Sequence, residues 1–474
     1  MGFVAREKEL RTLSEVADSG GFHMVVVYGR RRVGKTALLA QFCKHRRAIM
    51  FTAREQSAAE NLRSFSREVY RFFDVPESTG SLAGWMDAFD YLAAQAKAHA
   101  NEPLVLVFDE FPYAAGADKS LPSQLQIAID HTLRDTNVTL VLCGSNEGFM
   151  ASEVLGAKSP LYGRRSAQIR LKPFDLFDAC KMLPANAAWE DLYGYYAALG
   201  GTPYYLEQVV PELSFAQNIE RLCFTTSGLL YEEPAMLMRQ ELREPALYNS
   251  LLSALAAGRT TQKVIAEYAG LEPGTVSPYL KTLEGLGLIE RVVPFGENPA
   301  RSRKGIWKFK DPFFAYWYRF VSPVVGLVER GIGHAPAVAS TSGEAFSTYV
   351  GHQFEAMCAQ WVVRQCQEGK LNILPTSMGA WWGTDPVARE QADIDLVVGD
   401  SINGKLLLGE CKWRNEVNET EAIATLRSRS RLVGGDEKRL FALFTKHSVH
   451  AATRKKAQAD PGLLLVDAQS MLGA

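Results

Sequence analysis

The chain lacks an excess of charge of either sign and lacks a long apolar run. Its 52 lysines and arginines nearly balance its 53 aspartates and glutamates, which leaves a formal net charge of -1. This balance excludes a global attraction to nucleic acid, so any such contact must come from a local basic patch. No apolar stretch approaches the roughly 20 residues of a membrane span, and the charged run Arg6-Glu7-Lys8-Glu9 stands where a secretion signal would be apolar. We expect a soluble cytoplasmic protein with no membrane partner.

Cysteine is sparse as well, and its spacing excludes two common frameworks. The seven cysteines are scattered, with no pair at CxxC spacing, which argues against a disulfide scaffold and against a zinc knuckle. Hydrophobic residues make up 47% of the chain and charged residues 22%, a composition typical of globular proteins. The 474 residues are too many for one core, and a domain size of about 150 residues suggests roughly three domains.

One stretch near the N-terminus combines glycine, basic residues and Lys-Thr. It follows a β-branched run that starts at Val25 and reads Gly29-Arg30-Arg31-Arg32-Val33-Gly34-Lys35-Thr36-Ala37. Strand, glycine-rich loop and helix in this order form a phosphate cradle, because glycine lets backbone N–H groups approach a polyphosphate and the helix start adds positive potential. The pattern predicts a nucleotide-binding P-loop in which Lys35 reaches the β and γ phosphates and Thr36 binds Mg²⁺. We expect the three arginines to be solvated or to face another subunit.

Two acids follow a continuous apolar run further along. Leu104 to Phe108 is typical of a parallel strand buried on both faces, and Asp109 and Glu110 come directly after it. Beside a P-loop, Asp109 can hold the hydration shell of Mg²⁺ and Glu110 can polarise the attacking water. In isolation, the same pair would indicate only a solvated turn. Together with the P-loop it predicts nucleotide hydrolysis.

Two further polar segments are candidates for contact with the nucleotide. The apolar run from Thr139 ends in Ser145 and Asn146, which can orient the water or sense the γ phosphate, or simply cap the next helix. Arg164 and Arg165 precede another alternating strand, and an arginine there can stabilise phosphoryl charge in the same chain or across a subunit boundary. The second alternative predicts a homo-oligomer, and the sequence leaves open which arginine acts.

These segments together resemble a known family, the archaeal and bacterial ATPases related to AAA+ and STAND proteins. The resemblance is carried by Phe3-Val4-Ala5-Arg6-Glu7-Lys8-Glu9-Leu10, the P-loop, Phe108-Asp109-Glu110, Cys143-Gly144-Ser145-Asn146 and Pro160-Leu161-Tyr162-Gly163-Arg164-Arg165. It implies ATP and Mg²⁺ as cofactors and Walker roles for Lys35, Thr36, Asp109 and Glu110. It also implies Asn146 or Ser145 as first sensor and Arg164 or Arg165 as arginine sensor or finger. Gly200-Gly201-Thr202-Pro203 resembles the Gly-x-Pro element of STAND-like ATPases.

The middle of the chain predicts a helical lid and then a winged helix. Short helices are expected over 191–210 and 211–233, and three more precede a strand at 288–293. The expected wing, 294–310, carries five basic residues: Arg301, Arg303, Lys304, Lys308 and Lys310. This basic loop predicts contacts to the phosphates of double-stranded DNA, with little sequence specificity. The alternatives are a protein contact or a solvated loop. The aromatic stretch 310–320 predicts a packing helix between domains.

The C-terminal third holds a second cluster of acids. Asp393-Ile394-Asp395 and Glu410-Cys411-Lys412 lie on two strands joined by a turn at Asn403-Gly404, so Asp395, Glu410 and Lys412 are expected close together. Two carboxylates and a lysine can hold a divalent metal and position a water for phosphodiester attack. The pattern resembles the PD-(D/E)XK nuclease signature, and the family named above carries such a DUF234-type domain. The resemblance implies Asp395, Glu410 and accessory Glu355 as ligands of Mg²⁺ or Mn²⁺, and Lys412 as the water-positioning group. The alternative is a salt-bridged hairpin.

The sequence therefore predicts a multidomain α/β protein. Its expected parts are a P-loop ASCE core of the AAA+/STAND type over 1–172, a helical lid over 173–240, a winged helix over 241–310, an aromatic linker helix over 311–343 and a restriction-endonuclease-like α/β domain over 344–474. The leading hypothesis is an ATPase that couples nucleotide state to DNA binding and metal-dependent DNA cleavage. The alternative is a nucleotide-switched signalling, scaffold or regulatory protein whose nuclease-like domain does not cut.

Overall fold

The computed structural model describes residues 3–435 and 437–473, which form two compact units. The first unit runs up to Pro173 and takes back the short segment Thr202–Tyr204. The second comprises Phe174–Gly201 and the chain from Tyr205 onward. Apart from Pro173 and Thr202–Tyr204, four of the five predicted parts, from the lid to the C-terminal domain, thus lie within one unit. The five boundaries themselves stay predictions.

The first unit is built on a parallel five-stranded sheet. Its strands are β1 His23–Tyr28, β2 Ala48–Thr52, β3 Leu104–Asp109, β4 Val138–Gly144 and β5 Ala167–Arg170. Their order is β2-β3-β4-β1-β5 and all neighbours are parallel. Strand β4 separates the strand before the P-loop from the strand that ends in the acids. The carboxyl ends of β1, β3 and β4 therefore meet at one edge of the sheet.

Helices cover both faces of this sheet. They are α1 Glu7–Asp18, α2 Lys35–Cys43, α3 Ala58–Phe72, α4 Trp85–Ala98, α5 Phe111–Ala117, α6 Leu121–Ala128 and α7 Glu147–Phe149. Because successive strand residues point to opposite faces, Val25 and Val27 pack in a core with Leu38, while Val26 packs with Phe65 in the other core. Two covered faces explain why β3 and β4 are buried along their whole length.

The second unit begins with helices that hold the aromatic stretch. These are α8 Leu176–Cys180, α9 Trp189–Leu199, α10 Pro203–Leu206 (which starts in the first unit), α11 Phe215–Cys223 and α12 Glu233–Glu241. Further along the chain come α16 Pro312–Tyr316, α17 Val325–Glu329, α18 His334–Thr341 and α19 Gly343–Gln367. Phe313, Phe314 and Tyr316 are fully buried, and the hydroxyl of Tyr349 donates to the carbonyls of Ala197 and Pro312. The aromatic stretch is thus a packing element, as predicted.

Three helices and a hairpin form the winged helix. They are α13 Pro245–Ala256, α14 Gln262–Tyr268, α15 Ser277–Gly285, β6 Ile289–Val292 and β7 Ile306–Phe309. The hairpin is antiparallel, with Glu290 opposite Lys308. The predicted helix order and hairpin are confirmed.

The C-terminal region contains a mixed five-stranded sheet. Its strands are β8 Ser377–Thr384, β9 Gln391–Asp400, β10 Lys405–Lys412, β11 Lys438–Thr445 and β12 Leu463–Asp467, in the order β12-β11-β10-β9-β8. Helix α19 and the helices α20 Glu419–Arg429, α21 Ala451–Gln458 and α22 Ala468–Met471 accompany it. The predicted β9–β10 hairpin forms around the Asn403-Gly404 turn. Within the described ranges, none of the helices has both the length and the apolar character that a bilayer span requires.

Candidate functional site

The P-loop lies between the end of β1 and the first residue of α2. Gly29 has φ +153°, and a Cβ there would lie 2.2 Å from the carbonyl oxygen of Leu171, which excludes any larger residue. Gly34, at φ +89°, precedes α2 and adopts a conformation that glycine tolerates best. The loop backbone is therefore curled tightly against the residue that follows β5, and it leads directly into the start of α2.

Lys35 is buried inside this curl. Its side-chain Nζ donates to the carbonyl oxygens of Gly29 at 2.9 Å and Arg30 at 3.1 Å, and the residue is only 6% exposed. Burial lowers the pKa of Lys35, and the neighbouring groups Cys143, Glu110 and Asp109 act against that shift. The ammonium is thus positioned where phosphate oxygens can replace the loop carbonyls, as the predicted role requires.

Thr36 and Asp109 form the next pair of the site. The Thr36 hydroxyl donates to Asp109 Oδ2 at 3.0 Å, while Asp109 Oδ1 accepts the backbone N–H of Glu110 at 3.0 Å. A hydroxyl and a carboxylate are hard oxygen donors, and Mg²⁺ commonly takes one or two protein oxygens together with phosphate and water. The pair therefore fits the predicted magnesium site.

Glu110 stands in an unusual conformation beside that pair. Its φ is +50°, in the left-handed region that few non-glycine residues adopt. Its Oε2 accepts the hydroxyl of Ser145 at 2.9 Å and the backbone N–H of Ser145 at 3.4 Å. The carboxylate is thus held between the ends of β3 and β4, next to the P-loop.

Ser145 and Asn146, which the sequence left as alternatives, have different contacts. Asn146 Oδ1 accepts the backbone N–H of Phe149 at 2.9 Å and caps α7. Ser145 instead contacts Glu110. The capping alternative therefore accounts for the contact of Asn146, and Ser145 is the polar residue of this segment that reaches the acids.

Among the three loop arginines, Arg30 is buried and Arg31 and Arg32 are half-buried, so Arg30 is not solvated, and the alternative that the arginines face another subunit stays a prediction. Arg30 is 6% exposed, and its guanidinium donates to the Thr202 hydroxyl at 3.3 Å. Arg31 donates to the Tyr113 hydroxyl at 2.6 Å, and Arg32 lies over the Tyr204 ring at 4.8 Å. The physical reason is the return of Thr202–Tyr204 to the first unit, which gives the loop a cover that the local sequence does not reveal.

Arg6, from the first of the resembling segments, supports the same loop. Its guanidinium donates to the carbonyl of Val33 at 3.3 Å and to that of Lys172 at 2.6 Å. An arginine that links loop backbone to the strand end limits the positions the loop can take. Two further residues were not predicted from the sequence: Tyr113, whose hydroxyl accepts a hydrogen bond from Arg31, and Asp130, whose carboxylate binds Arg164. No local pattern in the sequence distinguishes either residue.

Arg164 and Arg165 also separate in the structure. The guanidinium of Arg164 donates bidentate hydrogen bonds to the carboxylate of Asp130, from Nε to Oδ1 at 2.9 Å and from Nη2 to Oδ2 at 2.6 Å. The hydrogen bond from Arg164 lowers the pKa of Asp130. Arg165 is exposed and makes no ion pair within the described ranges. Arg164 therefore anchors its loop, while the guanidinium of Arg165 remains available.

The C-terminal acids are brought together as the hairpin predicted. Leu396 pairs with Gly409, which places Asp395 beside Glu410, and the backbone N–H of Cys411 donates to Asp395 Oδ2 at 2.8 Å. Burial, with the neighbouring carboxylates of Glu410 and Glu355, raises the pKa of Asp395 to about 7. Burial also raises the pKa of Glu355. The long helix α19 supplies Glu355, so it joins this cluster.

The expected three-carboxylate metal site is not assembled. The carboxylate of Glu410 forms an ion pair with the Lys412 ammonium, as the salt-bridged alternative predicts. Along 3–435 and 437–473, no group of three or more His, Cys, Asp and Glu side chains is arranged to hold a metal ion. Glu355 and Asp395 do line a cavity of about 1020 Å³ together with Lys412. Two acids and a lysine thus face one cavity, with Glu410 held by the lysine.

The wing carries fewer available basic groups than the sequence suggests. Lys304 pairs with Glu297 at 2.8 Å, and Lys310 lies 3.8 Å from Glu290. The start of the wing is also docked, because the backbone N–H of Phe295 donates to the carbonyl of Ala380 in β8 at 2.8 Å. Arg301 and Arg303 remain exposed without an ion pair in the described chain.

Three family descriptions match parts of the chain. An ATPase domain predominantly from Archaea matches residues 3–209, an IclR helix-turn-helix domain matches 250–292, and the DUF234 description, archaeal and bacterial proteins of unknown function, matches 317–423. The last match begins within the predicted linker.

Similar proteins extend these matches. The Walker-type ATPase PABY2304 of Pyrococcus abyssi has TM-score 0.51 and 21% identity, covering 67% of this chain and 96% of that one, which shows a shared fold. The Aeropyrum pernix ORC2 protein has TM-score 0.44 and 14% identity, covering 69% and 95%. Uncharacterized protein MJECL04 of Methanocaldococcus jannaschii is 31% identical over 437 residues, which are 92% of this chain and 93% of that protein. This chain belongs to the family of that protein and joins an ATPase domain, an IclR-type helix-turn-helix and a DUF234 region in one polypeptide.

Proposed function

We propose that this protein binds ATP with Mg²⁺ and hydrolyses it at the P-loop of the first unit. The observation that carries the proposal is one connected set of hydrogen bonds, from Thr36 through Asp109 to Glu110 and Ser145, beside the buried Lys35 ammonium. Mg²⁺ held by Thr36 and Asp109 would neutralise charge on the phosphates. Lys35 binds their oxygens, and Glu110 accepts the proton of the attacking water.

The test is ATP binding by calorimetry in Lys35→Ala and in Lys119→Ala. Lys35→Ala removes charge-assisted hydrogen bonds worth about 1.5–3 kcal/mol each, so we expect affinity to fall at least tenfold. Lys119 is an exposed lysine of the same unit, and its replacement leaves affinity unchanged. Equal affinity in both variants would remove the P-loop from the proposal.

We further propose that the nucleotide state governs a DNA-directed activity of the second unit. The helix-turn-helix match and the exposed Arg301 and Arg303 support DNA as the partner. The cavity that Glu355, Asp395 and Lys412 share supports metal-dependent cleavage. A divalent ion held by the two acids would activate water toward a phosphodiester, provided that Lys412 releases Glu410.

A second candidate is a nuclease-like domain that binds without cutting. The Glu410–Lys412 ion pair favours this second candidate, because two of the three signature residues bind each other. Plasmid cleavage with Mg²⁺ or Mn²⁺ separates the two candidates, using Lys412→Ala and the exposed control Lys455→Ala. Cutting that Lys412→Ala abolishes and Lys455→Ala retains supports cleavage. Uncut plasmid with every protein supports the second candidate.

We also propose that Arg165 acts between two copies of the chain in a homo-oligomer. Its exposed guanidinium can reach a nucleotide bound by a second copy, whereas that of Arg164 is held by Asp130. An ATPase rate per subunit that rises with protein concentration, and that loses this rise in Arg165→Ala, would support a homo-oligomer.

A further inference from the structure

The second unit contains a second recess, which shares two acids with the cavity described above. It has a volume of about 1240 Å³ and lies between the winged-helix hairpin, α19 and β8. Lys308, Trp382, Glu355 and Asp395 are among the residues that line it. The same two acids line the smaller cavity next to Lys412. The recess is therefore lined both by two acids of the C-terminal cluster and by a lysine of the winged-helix hairpin.

The alternation along β8 gives the recess an aromatic wall. Trp381 packs with Ile394 and Val397 in the core of the C-terminal sheet. Trp382, the next residue, faces the recess and is only partly buried. A large aromatic face that is left partly accessible beside a cavity is suited to stacking on a planar ring.

Lys308 supplies positive charge close to the acids. It is exposed on β7, and its charge acts on Glu355. Lys310, which directly follows β7, also lines the recess but lies near Glu290. Lys308 is thus the lysine of this hairpin best placed to bind a phosphate that passes over Glu355 and Asp395.

The docked wing fixes this arrangement. The hydrogen bond from Phe295 to Ala380 joins the start of the wing to β8, and the Phe295 ring packs against the same core as Trp381. The winged helix and the sheet are therefore connected beside the recess, because Ala380 is itself one of its lining residues.

The stacking surface favours an unpaired strand. In a duplex each base is stacked between its neighbours, so a side chain can stack on a base only where that base is unpaired or flipped out. Pockets of about 300–1,000 Å³ hold ligands of drug size, so a recess of about 1240 Å³ has room for a few unpaired nucleotides.

We propose that this recess binds an unpaired stretch of DNA, with Trp382 stacking on a base and Lys308 binding a phosphate above Glu355 and Asp395. The inference rests on the proposed DNA-directed function and names the form of its substrate. A duplex held by Arg301 and Arg303 would have to deliver a frayed or flipped strand to the recess, and the winged helix forms part of the site.

The test is binding of the full chain to a fluorescein-labelled oligothymidine of about ten nucleotides in EDTA, which prevents cutting. We expect Trp382→Ala to weaken binding roughly tenfold or more, the scale of one lost base stack, and Trp382→Phe to restore most of it. Lys308→Ala should reduce the slope of log affinity against log salt by about 0.7, the value for one phosphate contact to a single strand. Lys304→Ala, an exposed wing lysine outside the recess, leaves single-strand binding unchanged.

Three outcomes would overturn the inference. They are equal binding of single strand by all variants, loss of duplex binding in Trp382→Ala to the same degree, and binding of oligouridine but not oligothymidine. Failure of cleavage does not bear on this result, because the assay contains no free metal. A protein that binds oligothymidine in this way but never cuts plasmid would retain the recess and lose only the proposed nuclease activity.

Discussion

Glu110 brings together a strained backbone and a fixed carboxylate. A left-handed φ in a non-glycine residue costs on the order of 1–3 kcal/mol and persists where the surroundings require it. In Glu110 this conformation directs the carboxylate to the hydroxyl of Ser145 at the end of β4. The strain is therefore linked to placement of the proposed general base.

Replacing Glu110 with glutamine tests that role. Glu110→Gln keeps the side-chain shape but cannot accept a proton, so we expect ATP affinity to stay and hydrolysis to slow by about 10²–10⁴. Steady-state phosphate release and calorimetric binding measure the two effects separately. Glu102→Gln, a change at an exposed acid of the same unit, serves as the control. Unchanged turnover in Glu110→Gln would give the water-activating role to another residue.

Ser145 and Asn146 allow a comparison between neighbours. Ser145→Ala removes the hydroxyl that Glu110 accepts, and we expect kcat to fall about tenfold with little change in ATP affinity, because one hydrogen bond is worth about 0.5–1.5 kcal/mol. Asn146→Ala removes a helix cap and costs about 0.5–2 kcal/mol of stability. Thermal unfolding and turnover of both variants distinguish the effects. A larger loss of turnover in Asn146→Ala would reinstate Asn146 as the sensor.

At the scale of elements, the winged helix is docked on the C-terminal sheet. Its hairpin forms a wall of the recess, and the start of its wing is bonded to β8. Both contacts limit the wing residues that can approach a duplex. Of the five basic wing residues, Arg301 and Arg303 are the two arginines whose charge is exposed and not paired within the described chain.

The dependence of duplex binding on salt tests which basic residues of the wing contact the phosphates. Each phosphate contact contributes about 0.9 to the slope of log affinity against log salt for B-form DNA. We expect the double change Arg301→Ala and Arg303→Ala to reduce the slope by about 2, whereas Lys304→Ala, whose ammonium is paired with Glu297, changes it little. Fluorescence anisotropy with a random-sequence duplex at several salt concentrations gives the slopes. Equal slopes in all three proteins would exclude the wing as the duplex contact.

At the scale of the whole molecule, the chain contains two compact units, each with its own sheet and core. The P-loop lies in the first unit and the acid cluster in the second. A ligand that binds one folded unit stabilises that unit by mass action, by about 2.7 kcal/mol at a ligand concentration of 100 times Kd. Stability measurements can therefore report on the independence of the units.

ATP should thus raise the unfolding temperature of the first unit. Calorimetry of the Glu110→Gln variant with Mg²⁺-ATP, in which turnover is slow, should show one transition that shifts by several degrees and one that does not. Lys35→Ala provides the control in which neither transition shifts. A single transition that moves as a whole would show that the two units unfold cooperatively.

Sequence alone determined the features whose causes are local. The P-loop, the acids at the end of β3 and the β9–β10 hairpin follow from glycine placement, buried apolar runs and a turn dipeptide, each within a few residues of chain. The tertiary structure decided what depends on residues far apart. Thr202 covers Arg30 across 172 positions, Glu355 joins Asp395 from a separate helix, and the wing docks on β8. Such contacts form only when the folded chain brings distant segments together, so no local pattern encodes them.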